Sequence, residues 1–208
     1  MSSFLSRWEN VIKQLPRVGK EKTVSKEVPA VVGIDPSLSG TAVCVMSADG
    51  TFLMERFSSP SAKGLLGRFD RFQGLVNDVY RIIDPLSGTL VFLEGYSMGS
   101  KGQGLTAICE YGALLRRMLI RQQENCCGEP PVEVPPSCLK KFATGKGNAD
   151  KLAVCLAVGK RYGVEFKTND EFDAYVLARM AGCAAGLWEP ENQSQRDALK
   201  SISKPQAA

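Results

Sequence analysis

Two short apolar segments of this chain each run directly into an acidic residue, and this pattern limits the folds open to it. Residues 31–34 lead into Asp35, and residues 89–93 lead into Glu94. Short apolar runs rich in β-branched residues are typical of buried strands. An ionised carboxylate left unpaired at the tip of a buried strand costs several kcal/mol. The fold must therefore give each acid a partner, such as a lysine, backbone N–H groups or a metal ion.

The absence of histidine narrows the chemistry further. The 208 residues include none, which excludes Ser-His-Asp and Cys-His catalysis and imidazole metal ligands. The seven cysteines form no Cys-x-x-Cys pair, which argues against zinc and favours reduced thiols in a cytoplasmic protein. No apolar run reaches about 18 residues, so no membrane span or secretion signal is predicted. Catalysis would have to use carboxylates, lysines and hard cations.

Apolar periodicity and turn signals predict a mixed α/β fold. Strands are predicted at residues 30–34, 41–46, 51–57, 89–93 and 131–134, and the longer helices at 61–83, 105–121, 149–162 and 170–186. The turn at Asp49-Gly50 favours a hairpin. A three-stranded antiparallel meander followed by helix-connected strands implies a mixed central sheet with helices on both faces.

The same patterns divide the chain into three parts. Residues 1–28 are predicted to form a peripheral amphipathic helix and a basic linker, residues 29–187 the mixed α/β domain, and residues 188–208 a polar, flexible tail. The helix in the first part would dock on the domain, pair with a second copy or lie near a nucleic-acid partner, and the first two uses are favoured.

A further pair of acids opens the last long helix. Asp170 and Asp173 are three residues apart and share a helix face. Asp170 alone is also explained as a helix cap or a first-turn acid. Each of the four acids, taken alone, is also explained as a cap or a surface group. If the four acids converge, a chain without histidine most simply uses them for Mg²⁺ or Mn²⁺. Two such ions about 3.5–4 Å apart would clamp a phosphodiester.

Positive charge is concentrated in the middle of the chain. The net charge is +4, but residues 101–167 contain eleven Lys and Arg against six Asp and Glu. This distribution fits a polyanionic partner, and it equally fits a solvated surface.

Four motifs, in this order, resemble those of the RuvC-type Holliday junction resolvases, which belong to the ribonuclease H-like superfamily. The motifs are GIDPSLSGTAV, VFLEGYSMG, LKKFATGKGNADK and NDEFDAYVLA, and the resemblance covers roughly residues 30–185. The bacteriophage-encoded branch is the most similar. The resemblance implies a ribonuclease H-like fold and identifies the metal ligands as Asp35, Glu94, Asp170 and Asp173.

The resemblance also implies roles in DNA contact. Lys140 and Lys151 match lysines that act on the scissile or a neighbouring phosphate, although both would also suit a solvated surface. The loop after Glu94 matches a region that meets the junction centre, so Tyr96 is expected either to stack on a base or to pack under the loop. The remaining residues expected to contact DNA are Lys101, Lys141 and Lys146.

The implied function is symmetric nicking of four-way junctions and other branched DNA by a homodimer, with two Mg²⁺ (or Mn²⁺) ions in each active site. Alternatives are a non-catalytic DNA-binding module on the same fold, or a nuclease for flaps, forks or RNA–DNA hybrids. A sugar-kinase-like phosphate loop at residues 33–40 is disfavoured because that architecture needs a second such unit and a longer chain.

Overall fold

The computed structural model describes residues 30–202 except 85, 87–88, 97–102 and 127. The amphipathic helix expected within residues 1–28 and the DNA contact expected of Lys101 lie outside these residues. None of the helices in the described ranges is long and apolar enough to cross a membrane.

The described residues form five strands and six helices. The strands are β1 (Ala30–Asp35), β2 (Thr41–Ser47), β3 (Phe52–Phe57), β4 (Leu90–Glu94) and β5 (Val132–Val134). The helices are α1 (Gly64–Ile83), α2 (Gln103–Asn125), α3 (Pro136–Thr144), α4 (Lys151–Tyr162), α5 (Asn169–Ala184) and α6 (Gln193–Lys200).

The strands form one mixed sheet in the order β3-β2-β1-β4-β5. The first three pair antiparallel, as the predicted meander requires, and β4 and β5 continue the sheet in parallel with β1. Ile34 pairs with Leu93 in the parallel register. The two strands therefore deliver Asp35 and Glu94 to the same edge of the sheet.

Helices cover both faces of the sheet, which confirms the predicted architecture. Alternate β1 side chains point to opposite sides, so Val31 lies in one apolar core and Val32 in the other. The core containing Val32 includes residues of α1 and α2, and the core containing Val31 includes residues of α3 to α6.

Helix α5 lies directly on β1, and Gly33 makes this approach feasible. A Cβ atom at Gly33 would overlap the carbonyl oxygen of Ala174 and the backbone nitrogen of Ala178. Only hydrogen at that position lets two backbones come so close. The contact fixes the start of α5, and with it Asp173, beside the end of β1.

The structure differs from the sequence prediction after residue 188, where a polar, flexible tail was expected. Helix α6 follows, capped by Asn192, whose side chain accepts a hydrogen bond from the Gln195 N–H at 3.0 Å. Ala198 is fully buried in the core beside α3. The Trp188 Nε1–H donates to the carbonyl oxygen of Ala48 at 3.1 Å. These contacts attach residues 188–202 to the folded body despite their polar composition.

Candidate metal and nucleic-acid site

Three of the four predicted acids meet at the edge of the sheet. Asp35 comes from the end of β1, Glu94 from the end of β4 and Asp173 from the first turns of α5. Each offers an oxygen, and the three oxygens lie within 4.8 Å of one another. Asp35 is only 5% exposed. Buried carboxylates this close repel one another strongly, so the cluster requires protons or cations.

Burial raises the pKa of every acid in this cluster. Burial, followed by the charge of Glu94, holds the pKa of Asp35 well above its usual value. Burial also raises the pKa of Glu94, although contact with Asp35 and the charges of Lys151 and Lys140 oppose the rise. Burial and the charge of Glu94 raise the pKa of Asp173 to about 7. Repulsion between neighbouring acids therefore adds to the effect of burial at Asp35 and Asp173.

The chemistry of this donor set fits a hard divalent cation. Carboxylate oxygens are the ligands that Mg²⁺ and Mn²⁺ prefer. The raised pKa values show that burial disfavours the ionised form of each acid, and a nearby cation would offset that cost. Asp35, Glu94 and Asp173 would therefore hold such an ion.

The pKa of Asp173 leads to a prediction for stability without metal. Its folded-state pKa of about 7 lies above the ordinary value of 3.8, so its stabilising contribution is complete below pH 3.8 and is lost as pH rises through about 7. We expect the Tm of the protein in EDTA to be lower at pH 8 than at pH 5. Added Mg²⁺ should raise Tm more at pH 8, where the carboxylates are ionised. Thermal melts of wild type and Asp173→Asn at both pH values check this; an equal or higher Tm at pH 8 in EDTA would refute it.

Asp170 lies beside this cluster but outside it. Its Oδ2 is 3.7 Å from the Arg56 Nη2 on β3, and its charge raises the pKa values of the other three acids. The cap of α5 is Thr168, whose hydroxyl oxygen accepts from the Glu171 N–H while the Glu171 side chain accepts from the Thr168 N–H. Asp170 is therefore not the helix cap, but it lies in the first turn of α5, where an acid is favourable.

The lysines predicted from the third motif occupy two different environments. Lys140 and Lys151 lie close enough to the acids for their charges to lower the pKa values of Glu94 and Asp173. Lys141 instead lies 3.7 Å from Asp197 of α6. Lys146 is exposed in the turn after α3. Only the first two lysines thus contribute to the electrostatics of the acid cluster.

Tyr96 lies at the end of the described part of the segment after β4 and packs against α2. Its hydroxyl donates to the carbonyl oxygen of Cys109 at 3.3 Å. The Arg116 guanidinium lies 4.0 Å from the centre of its ring. One face of the ring is therefore already occupied by a cation, as in a cation–π pair.

Arg116 is a residue of this site that sequence reasoning missed. Its Nη2–H donates to the backbone oxygen of Glu94 at 3.3 Å and to Glu133 Oε1 at 3.1 Å. It joins the ends of β4 and β5 to α2, and so holds the backbone that carries Glu94. No motif contains Arg116. It can anchor the strand ends because it lies on α2, one helical turn after Gly112, on the side that faces them.

We expect Arg116→Met to raise the Mg²⁺ concentration needed for half-maximal thermal stabilisation about tenfold, because Glu94 loses its backbone anchor. Loss of charged hydrogen bonds should cost about 1.5–3 kcal/mol of stability. Arg117→Met is the matched control, since this neighbouring arginine is exposed on the same helix. Thermal melts over a series of Mg²⁺ concentrations check the prediction. Equal effects of the two variants would contradict it.

Comparisons with known proteins agree on one fold. No family model matches the chain. It is 29% identical over 157 residues to the crossover junction endodeoxyribonuclease RuvC of Neorickettsia sennetsu, covering 71% of this chain and 89% of that protein. The Thermus thermophilus RuvC structure matches with a TM-score of 0.59 at 16% identity, covering 76% of this chain and 97% of that one.

Two further solved structures extend the similarity. T. thermophilus RuvC in complex with a Holliday junction substrate matches with a TM-score of 0.56 at 16% identity, and the match covers 72% of this chain and 90% of that one. The yeast mitochondrial Holliday junction resolvase Ydc2 matches with a TM-score of 0.51 at 13% identity, and the match covers 86% of this chain and 83% of that one.

The fold is that of RuvC. The predicted mixed sheet with helices on both faces is thereby confirmed, and the sequence of the chain is similar to that of the RuvC from N. sennetsu. These relatives come from bacteria and from a yeast mitochondrion, and they give no support to the bacteriophage branch. In this RuvC fold the acid cluster stands at the carboxyl ends of β1 and β4, where open α/β sheets place their sites.

Proposed function

We propose that this protein is a divalent-metal-dependent endonuclease that resolves four-way junctions and other branched DNA. The observation that carries the proposal is the cluster of Asp35, Glu94 and Asp173 at the edge of a RuvC-fold sheet. A non-catalytic DNA-binding module would have little need of three adjacent acids, one buried and two half-buried, that repel one another.

The proposed roles follow from the positions of the side chains. Asp35, Glu94 and Asp173 hold the metal, and Asp170 supplies a fourth carboxylate from the adjoining turn of α5. A metal bound here would polarise the phosphate and lower the pKa of the attacking water, and two ions would also stabilise the leaving oxygen.

The two lysines of the site serve the substrate in this proposal. Lys140 and Lys151, whose charges already act on the acids, bind the scissile or a neighbouring phosphate as point charges. They thereby place the backbone of one strand against the carboxylates. Exposed Lys146 extends the positive surface toward the flanking DNA.

We propose a C2 homodimer as the working form, because symmetric nicking of a four-way junction needs two active sites related by a twofold axis. The start of α1 offers a surface for it. Leu65, Leu66 and Phe69 are 63%, 80% and 36% exposed. A group of large apolar side chains so exposed is typical of an interaction surface.

The cellular setting is part of the same proposal. A cytoplasmic location fits the cysteines, since six of them in the described part of the chain are free. A bacteriophage origin rests on the sequence motifs alone.

A substrate panel tests the proposal. The purified protein is incubated with a labelled four-way junction, a linear duplex of matched sequence, a flap and an RNA–DNA hybrid, each in Mg²⁺ or EDTA. We expect metal-dependent nicking of the junction well above that of linear duplex. Preferred cutting of flap or hybrid would assign the same chemistry to another substrate, and binding without cutting of any substrate would favour the non-catalytic module.

A further inference from the structure

Arg56 is a cation at the edge of the acid cluster that no sequence motif identifies. It lies on β3, with its side chain 29% exposed. Its Nη2–H donates to the carbonyl oxygen of Ser39 at 3.1 Å. A Cβ atom at Gly40 would overlap the guanidinium, so the turn after β1 closes directly over the arginine. The turn that follows Asp35 thus holds the guanidinium in place.

The acid that faces Arg56 is Asp170. The Arg56 Nη2 lies 3.7 Å from the Asp170 Oδ2, and the Asp170 side chain is only 18% exposed. Asp170 is also the one predicted ligand outside the group whose oxygens lie within 4.8 Å of one another. The contact with Arg56 therefore holds Asp170 outside the cluster of the other three acids, although the resemblance assigns Asp170 to the metal.

We propose that Arg56 is a resident counter-cation that competes with divalent metal for Asp170 and so sets the metal concentration at which the site fills. This inference rests on the proposed function, since it assumes that Asp170 serves the metal. A partly shielded guanidinium at this distance stabilises the carboxylate by Coulomb attraction. An incoming ion gains Asp170 as a ligand only by replacing that attraction. Arg56 is in this sense a positioning residue, because it acts through Asp170.

Removing the competitor should strengthen metal binding. We expect Arg56→Gln to bind Mn²⁺ about fivefold more tightly than wild type, the scale of one partly exposed ion pair. The measurement is Mn²⁺ binding by the full chain without DNA, followed by calorimetry and by the spin resonance of free Mn²⁺. A loosened fold would weaken binding, so a gain in affinity cannot result from structural damage.

Three variants isolate the ion pair. Arg56→Lys keeps the charge and should stay near wild-type affinity. Arg71→Gln loosens the same turn without changing charge at Asp170, because Arg71 donates to the carbonyl oxygens of Leu38 and Ser59. It should give no gain. In an Asp170→Asn background, Arg56→Gln should not change Mn²⁺ affinity further, because the first substitution has already removed the ion pair on which Arg56 acts.

Several results would overturn the inference. These are unchanged or weaker Mn²⁺ binding by Arg56→Gln, an equal gain in Arg71→Gln, or a gain that persists without Asp170. If wild type binds Mn²⁺ and Asp35→Asn does not, the proposed metal site stands whatever Arg56 does. If wild type binds no Mn²⁺, both the site and the inference fall.

Discussion

Replacing Asp35 with asparagine should abolish cleavage of a four-way junction while sparing junction binding. The amide keeps the shape of the side chain but removes a central negative ligand from the acid cluster. We expect the single-turnover rate in Mg²⁺ to fall by about 1,000-fold or more, equivalent to roughly 4 kcal/mol of transition-state stabilisation. DNA binding depends on phosphate contacts made by cations and should change little.

The same substitution should stabilise the protein when metal is absent. Burial and the charge of Glu94 raise the pKa of Asp35, so the ionised form opposes folding, and asparagine removes that charge. Tm in EDTA at pH 8 should therefore rise. Asp197→Asn is the control, because this acid lies on α6 and pairs with Lys141 of α3, outside the acid cluster. Near-normal cleavage by Asp35→Asn would show that the reaction takes place elsewhere.

Gly33→Ala should both destabilise the protein and separate the acids. The added methyl group overlaps the backbone of α5 at two points, Ala174 and Ala178, and neither can move without shifting the helix. Overpacking of this kind costs about 1–3 kcal/mol. Because Asp173 lies on the same helix, we expect weaker stabilisation by Mg²⁺ and slower cleavage. Chemical denaturation and melts with and without Mg²⁺ measure the two effects.

Gly74→Ala is the matched control for Gly33. A Cβ atom there meets no atom within 4 Å, and the residue lies within α1. This substitution should stabilise the helix by about 0.5–1 kcal/mol. If Gly33→Ala were as harmless as Gly74→Ala, the close crossing of α5 over β1 would not be what positions Asp173.

The sequence predicts the sheet and the three central acids for physical reasons. Apolar runs with short turns indicate the strands, and parallel neighbours necessarily bring Asp35 and Glu94 to one edge. These inferences use local patterns and the rules of sheet geometry.

The features that escaped prediction depend on contacts between distant segments. Arg56 meets Asp170 because the start of α5 lies near β3, and no local pattern encodes that pairing. Arg116 reaches Glu94 only because α2 packs against the end of β4. Helix α6 is short and polar, so its few buried contacts, such as Ala198, gave too weak a periodic signal.

Mapping the nicks on a four-way junction tests the central claim most directly. The junction carries a different label on each strand, and the reaction is run in Mg²⁺ with wild-type protein. We predict paired nicks at symmetric positions on two opposed strands, leaving linear duplexes that a DNA ligase can seal. Nicks at unrelated positions, cutting that continues in EDTA, or equal cutting of linear duplex would contradict a metal-dependent junction resolvase built on Asp35, Glu94 and Asp173.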